Sequence, residues 1–363
     1  MNKSSKISVR GNEYMKLLIP FYHVGDVDFY FHLINSLCKY NMEIHITYVK
    51  GSPKENWQKR FFFRRLKVFS IRRSKSLEFL LSREKIVKQL KKIRFNIIFV
   101  LSELWTLEFA FYCSKRLGVP FVVWVRGDHR SVRKIRGINW LKRWIANYLE
   151  TKYLNRAELV IPNCLSLYQK LRSWGVNSKI ITGPAYNGVD TEVFRPLEVS
   201  RSDKFTIAYA GRICPEKRVI ELLKIARKLK DVKFIIAGSK GMEVVFPKNV
   251  EYLGKLPFLE MPKFYNMADL VVLPSITEGF PSVILEAYAC EKPVLVTKEA
   301  FPKELKIFGR IADINEFEYE IKELQNLDLK SLGKRAREYV KKYFNWDQFG
   351  KKIKNYLERL SLN

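Results

Sequence analysis

The sequence predicts an α/β protein made of two doubly wound parallel-sheet domains that face each other across a central cleft. Three observations predict it. Short apolar runs alternate with amphipathic stretches, the pattern of a parallel sheet wrapped by helices. The alternation breaks once, at Gly183-Pro184-Ala185-Tyr186-Asn187-Gly188-Val189-Asp190, and then restarts. The chain has 363 residues, 47% of them hydrophobic, which is enough for two cores.

The first half offers strand candidates at Lys16–Phe21, Glu43–Val49, Lys67–Ile71, Asn96–Leu101, Phe121–Val125 and Leu159–Pro162. Between them Leu77, Leu80, Leu81, Val87, Leu90 and Ile93 recur at helical spacing, with Arg83, Lys85, Lys88, Lys91 and Lys92 on other faces. Leu107–Leu117 and Trp140–Leu154 also read as helices. After the break come the strand candidates Phe205–Ala210, Lys233–Ala237, Leu270–Pro274 and Pro293–Thr297, and the chain closes on a helical pattern, Asp347–Leu360. These runs place the domains at 15–187 and 188–345, with a terminal helix at 346–363. Residues 1–14 are polar and precede the first natural strand, so a disordered extension is expected there. Two such halves leave a cleft at the carboxyl ends of their strands, where open α/β folds bind ligands.

The formal net charge is +29. Residues 1–200 hold 36 Lys and Arg against 15 Asp and Glu, so most of the excess lies in the first half, densest between Lys54 and Arg94. Such a field attracts nucleic acid, anionic lipid or an anionic small molecule; the alternative is a solvated basic surface. Five scattered cysteines without a C-x-x-C pair argue against a disulfide framework or zinc site and suit a reducing compartment. No apolar run approaches the ~20 residues needed to cross a bilayer. The N-terminus lacks a signal-peptide core, so a cytoplasmic location is expected.

Two stretches carry chemistry. In Ala208-Tyr209-Ala210-Gly211-Arg212 a strand ends at a glycine, and Ile213-Cys214-Pro215-Glu216-Lys217 leads toward a helix. Gly211 lets the backbone turn and approach a ligand. Free N–H groups at a helix start, with Arg212 and Lys217, make a diphosphate site; the alternative is an ordinary strand–helix turn with two surface cations. In Thr277-Glu278-Gly279-Phe280-Pro281-Ser282-Val283-Ile284-Leu285-Glu286-Ala287 the pattern repeats. Gly279 permits tight approach, and Ser282 is expected to cap the next helix. Glu278 and Glu286 suit paired hydroxyls of a sugar or ribose; a solvent-facing helical glutamate is the alternative for Glu286, and its apolar neighbours argue against it.

Glu278-Gly279-Phe280-Pro281 with Glu286 resembles the E-x7-E signature of the retaining glycosyltransferases of family 4, also called group 1. Asn187-Gly188-Val189-Asp190-Thr191-Glu192-Val193-Phe194-Arg195-Pro196 is similar to that family's interdomain phrase, and Gly211-Arg212 with Pro215-Glu216-Lys217 to its diphosphate site. The resemblance covers residue 155 to the end and is weaker before that. It implies a GT-B fold of two Rossmann-like domains, with donor on the C-terminal one, acceptor on the N-terminal one, and the last helix crossing back. It implies a hexosyltransferase-type enzyme that transfers a sugar with retention. Arg212 and Lys217 would hold the diphosphate and Glu286 the ribose. Glu278 would lie by the transferred sugar, with the amides of Gly279, Phe280, Pro281 and Ser282 around its hydroxyls wherever an N–H exists. Front-face attack, with the leaving phosphate helping to deprotonate the acceptor, needs no protein nucleophile.

The first half departs from the family pattern. Val123-Trp124-Val125-Arg126-Gly127-Asp128-His129 occupies the region of a histidine that many members carry. Arg126 falls at its place, so Arg126 and Asp128 are expected as catalytic residues, with His129 near the acceptor; a capping Asp and a surface His are the alternative. His23-Val24-Gly25-Asp26 has one glycine where members often have two, and Gly25 and Asp26 are expected to face acceptor and phosphates. Asp26-Val27-Asp28 spells D-x-D, a metal signature of another glycosyltransferase fold, but it opens a helix, where acidic residues belong. No metal and no other cofactor is expected besides the nucleotide-sugar co-substrate. Trp57-Gln58-Lys59-Arg60-Phe61-Phe62-Phe63-Arg64-Arg65 suits an anionic membrane or stacking on a single strand, or is a core strand with basic flanks.

The expected function is transfer from a nucleotide sugar to a lipid-linked or cell-surface glycan acceptor, by a protein peripheral on the cytoplasmic membrane face. The competing readings are a GT-B epimerase or phosphorylase-type enzyme and a basic nucleic-acid-binding module. For the last no zinc-finger or RNA-binding motif is found, and nucleic acid is not expected as a partner. Base recognition would fall to the loops Gly238–Gly241 and Gly254–Pro257.

Overall fold

The computed structural model describes residues 15–20, 27–50, 66–72 and 77–362. The expectations for residues 1–14, for Gly25 and Asp26, and for the Trp57–Arg65 stretch lie outside them.

The first sheet has six parallel strands: β1 (Met15–Pro20), β2 (Met42–Lys50), β3 (Leu66–Arg72), β4 (Ile97–Leu101), β5 (Phe121–Val125) and β6 (Leu159–Pro162). Their spatial order is β3-β2-β1-β4-β5-β6. The second sheet holds β7 (Thr206–Ala210), β8 (Lys233–Ala237), β9 (Val250–Tyr252), β10 (Leu270–Leu273), β11 (Val294–Val296) and β12 (Gly309–Ile311), ordered β12-β11-β10-β7-β8-β9. Counted from its own first strand, each sheet has the order 3-2-1-4-5-6 of a doubly wound dinucleotide-type fold. Strands β4, β5, β7 and β10 are buried throughout, as expected when helices cover both faces. The runs expected as strands are all strands. The edge strands β9 and β12, of three residues each, were not anticipated.

The helices are α1 (Val27–Cys38), α2 (Leu77–Leu90), α3 (Leu104–Leu117), α4 (His129–Ile135), α5 (Trp140–Leu154), α6 (Leu165–Ser173), α7 (Val219–Lys228), α8 (Met261–Asn266), α9 (Ser282–Ala289), α10 (Phe317–Leu324), α11 (Leu329–Tyr343) and α12 (Trp346–Leu362). The chain passes between the sheets twice, and the passages touch. Val189 N–H donates to the Phe344 carbonyl at 2.9 Å. A Cβ on Gly188 would lie 2.4 Å from the Trp346 nitrogen, so only glycine fits. The last helix then packs on the first half. Phe349, Ile353 and Leu357, spaced by four, are buried with Leu33, Ile34 and Leu37 of α1. The Phe349 ring lies 4.5 Å from that of Trp124, whose indole N–H donates to the Ala185 carbonyl at 3.0 Å.

Candidate active site

In each sheet the order reverses beside its first strand, and a crevice opens there at the carboxyl ends. In the second sheet that point lies between β7 and β10. Gly211 and Arg212 follow β7, and the loop to Gly279 follows β10, so the two motifs meet by topology. Gly211 has φ +157°, and a Cβ on Gly238 would lie 1.8 Å from its carbonyl oxygen. The Gly238 N–H in turn donates to the Gly254 carbonyl at 2.7 Å, so the two loops expected to read the base touch each other, and the first of them touches the Gly211 turn. Pro215–Lys217 forms one 3-10 turn, and the α-helix starts only at Val219, after Arg218 in the left-handed region (φ 49°).

Lys217 Nζ and Glu278 Oε1 form a close ion pair between side chains that are both largely buried. Arg212 is 60% exposed, with its guanidinium 3.7 Å from Glu216. Glu216 itself is buried. It accepts from Arg136, at the end of α4 in the other half, through both carboxylate oxygens at 3.2 Å, with a further close contact to Oε1. Burial works to raise the Glu216 pKa, but Arg136, its own backbone amide and Cys214 outweigh burial and hold it down to about 2. It is therefore ionised throughout the neutral range. Sequence reasoning missed Arg136, which lies 80 positions from its partner and carries no local signal.

Glu286 sits one turn into α9 and accepts from the Tyr265 hydroxyl at 2.7 Å. Burial, then the charge and hydrogen bond of Glu286, push the Tyr265 pKa well up, so the phenol remains a donor. Ser282 does not cap α9. The N-cap position is taken by Pro281, and no side chain caps the helix. The Ser282 hydroxyl instead lies 3.5 Å from Asn187 Nδ2, which also donates to the Phe280 carbonyl at 2.7 Å. The Phe280 ring is core: it packs between Tyr186 (5.1 Å) and Phe344 (5.5 Å), where the two passages meet.

The halves touch at Gly279. A Cβ there would lie 2.1 Å from the Arg126 carbonyl oxygen and 3.2 Å from Asn163 Nδ2, which holds that same carbonyl at 2.8 Å. The Arg126 backbone, at the end of β5, thus forms the opposite wall, and its guanidinium lies 5.5 Å from the Trp124 ring. Asn163 Oδ1, Asn187 Oδ1, Ser275 Oγ and Thr277 Oγ1 are buried without a hydrogen-bond partner in segments that meet around this wall.

Asp128 is held by its own helix and by a lysine. It caps α4, accepting from the Ser131 N–H at 2.9 Å and hydroxyl at 2.5 Å, and from Lys170 Nζ at 2.8 Å. Burial works to raise its pKa, but Lys170 and Ser131 outweigh burial and lower it. This is the capping geometry given above as the alternative. His129 opens α4. Burial pulls its pKa down against the charges of Glu150 and Glu103, so it is neutral at pH 7.

The family model for group 1 glycosyl transferases matches residues 190–308, and that for glycosyltransferase family 4 matches residues 30–193. The chain belongs to the group 1, family 4-type glycosyltransferases. Over 266 residues it is 28% identical to an uncharacterised glycosyltransferase of Methanocaldococcus jannaschii, covering 68% of this chain and 71% of that one. Over 221 residues it is 28% identical to the alpha-galactosylglucosyldiacylglycerol synthase of Streptococcus pneumoniae, covering 53% and 58%. Among solved structures it is similar to Anabaena HepE in complex with UDP and glucose, with a TM-score of 0.75 and 17% identity over 95% of this chain and all of that one. The fold of this glycosyltransferase is GT-B.

Proposed function

We propose that this glycosyltransferase takes a hexose from a nucleotide diphosphate sugar and passes it, with retention at the anomeric carbon, to a lipid-linked or cell-surface glycan at the cytoplasmic membrane face. The observation that carries the reading is the Lys217–Glu278 pair. It joins the cationic motif after β7 to the acidic motif after β10 at the point where the second sheet's strand order reverses and a crevice opens. The name of the pneumococcal relative, a glycolipid synthase, and the UDP and glucose in the HepE complex support the acceptor and donor classes.

Residues 15–187 form the acceptor half in this reading, 188–345 the donor half, and 346–363 the returning helix. When the sugar–phosphate bond breaks, negative charge grows on the diphosphate. Arg212, exposed beside Gly211, and Lys217, held in place by Glu278, meet that charge without reorganising. Glu286, oriented by Tyr265, takes the ribose hydroxyls. The leaving phosphate oxygen accepts the acceptor's proton on the face where the acceptor attacks, so retention needs no covalent enzyme intermediate. With two cations on the diphosphate, turnover does not require a divalent metal.

The test begins with thermal-shift and hydrolysis screens against UDP-, GDP-, ADP- and dTDP-sugars, each with Mg2+ and with EDTA. One nucleotide sugar should stabilise the protein, with equal turnover in EDTA. With that donor, Lys217→Ala and Glu278→Gln should each lower kcat by about 10²–10³ while the fold survives. Wild-type turnover in Lys217→Ala would contradict the assignment, and an inverted anomer in the product, read by NMR, would overturn retention.

A further inference from the structure

Helix α5 turns its large apolar side chains outward. Trp140 is 69% exposed, Trp144 61% and Tyr148 56%, with Leu141 and Ile145 beside them and Ile138 just before the Asn139 cap. A helix that only packs turns such side chains inward. The inward side here belongs to the later turns. Leu154 is buried, Glu150 is buried holding Arg130 and Arg133, and Tyr153 packs 5.6 Å from Phe111. The Trp144 and Tyr148 rings stack on each other at 6.0 Å.

At about 100° per residue, the five exposed side chains from Trp140 to Tyr148 span an arc of about 140°. Lys142 and Arg143 flank that arc on opposite sides, each about 60° beyond its edge. From His129 to Leu149 the chain carries six Lys and Arg and no acidic residue. Arg130 and Arg133 are held by Glu150 and Arg136 by Glu216. Lys134 and Lys142 are exposed, and Arg143 is half-exposed.

We propose that the Ile138–Tyr148 face docks this protein on an anionic lipid surface, with Trp140, Trp144 and Tyr148 in the headgroup layer and Lys142 and Arg143 against lipid phosphates. Amphipathic aromatics at the interface, flanked by cations and free of carboxylates, are what such a surface selects. A second copy of this chain fits poorly, because it would bring Lys142 and Arg143 against their own kind within a strongly basic molecule. The position also suits the site: Arg136, two residues before Ile138, holds the glutamate next to Lys217. A lipid-borne acceptor would arrive at the rim of the cleft. The inference rests on the membrane part of the proposed function, but its test reads binding alone and does not depend on transfer.

The experiment is co-sedimentation of the full chain with phosphatidylglycerol–phosphatidylcholine vesicles and with phosphatidylcholine vesicles, at low and high salt. Wild type should bind the anionic vesicles at least tenfold more tightly, and 0.5 M NaCl should weaken that binding. Trp140→Ser/Trp144→Ser and, separately, Lys142→Glu/Arg143→Glu should each weaken it about tenfold or more, with unchanged Tm and unchanged nucleotide-sugar hydrolysis. Wild-type binding by both double variants would place the docking surface elsewhere and overturn the proposal. So would equal binding to neutral vesicles, or a concentration-dependent dimer that the tryptophan variant abolishes while vesicle binding is absent.

Discussion

The two halves share one strand order and offer opposite chemistry at the carboxyl ends of their strands. After β7 and β10 the second half places acidic and basic side chains in ion pairs: Arg212, Glu216, Lys217, Glu278. After β5 and β6 the first half places mostly backbone and already-committed groups. The Arg126 carbonyl is held by Asn163, Asp128 is held in a cap, and His129 is neutral. The same topology therefore builds a charged wall and a shaped wall. In the proposed reading the first would stabilise a leaving diphosphate and the second would fix where an acceptor lies. Contacts between the halves hold the walls together, among them Gly279 against Arg126 and Glu216 with Arg136.

The sharpest way to break this comparison is Gly279→Ala. The added methyl would sit 2.1 Å from the Arg126 carbonyl oxygen, so the walls must separate by about an ångström or more. A displacement of that size at a reacting centre costs about 10²-fold. Donor binding, read by thermal shift, should survive because the charged wall is intact, while kcat falls about a hundredfold. Unchanged kcat would mean that the shaped wall is not needed in this closed position.

The donor half was the more legible of the two, for physical reasons. Its motifs are local: glycine, cation and carboxylate fall within a few residues of a strand end, and a parallel sheet brings consecutive strand ends together. Strands β5 and β6 also declared their bounds, because each run is apolar throughout and almost wholly buried, and β8 did so after its opening Lys233. Strands β9 and β12 did not, because Val250-Glu251-Tyr252 and Gly309-Arg310-Ile311 lie at sheet edges, where three mixed residues make no run. The capping expectation for Ser282 failed by one position, since the helix begins at Ser282 and Pro281 occupies the cap. Asp128 was expected as a catalytic residue with the cap as the alternative, and the partner that holds it, Lys170, comes from another helix 42 positions on. Arg136 was illegible: nothing around it distinguishes it from other cations in a basic chain.

Arg136→Ala tests the second closing contact, with a smaller expected effect. It leaves a buried carboxylate with only Arg212 near, at 3.7 Å, and loosens the turn that carries Lys217. A roughly tenfold loss in kcat/KM is expected, together with a lower Tm. The pH dependence gives the sign. With its folded pKa at about 2, below the ordinary value of 4.5, Glu216 contributes stability that is present above pH 4.5 and lost as pH falls toward 2. The Tm gap between wild type and Arg136→Ala should be widest above pH 4.5 and close on acidification. A gap that stays constant would remove the ion pair as its cause.

Asp128→Ala asks whether the acceptor wall's carboxylate acts structurally or on substrate. If it is a cap, the variant should cost about 1–2 kcal/mol of stability, and Asp128→Asn less, because asparagine also caps. Activity should change less than about threefold, well below the 10²–10⁴ typical of a lost general acid or base. The folded pKa is lowered, so this contribution too should be present above the unfolded carboxylate value of about 4 and fade as pH drops below it. A hundredfold loss of activity at unchanged Tm would instead return Asp128 to the chemistry. The acceptor half would then carry a charge of its own, and the contrast between the two walls would reduce to one of degree.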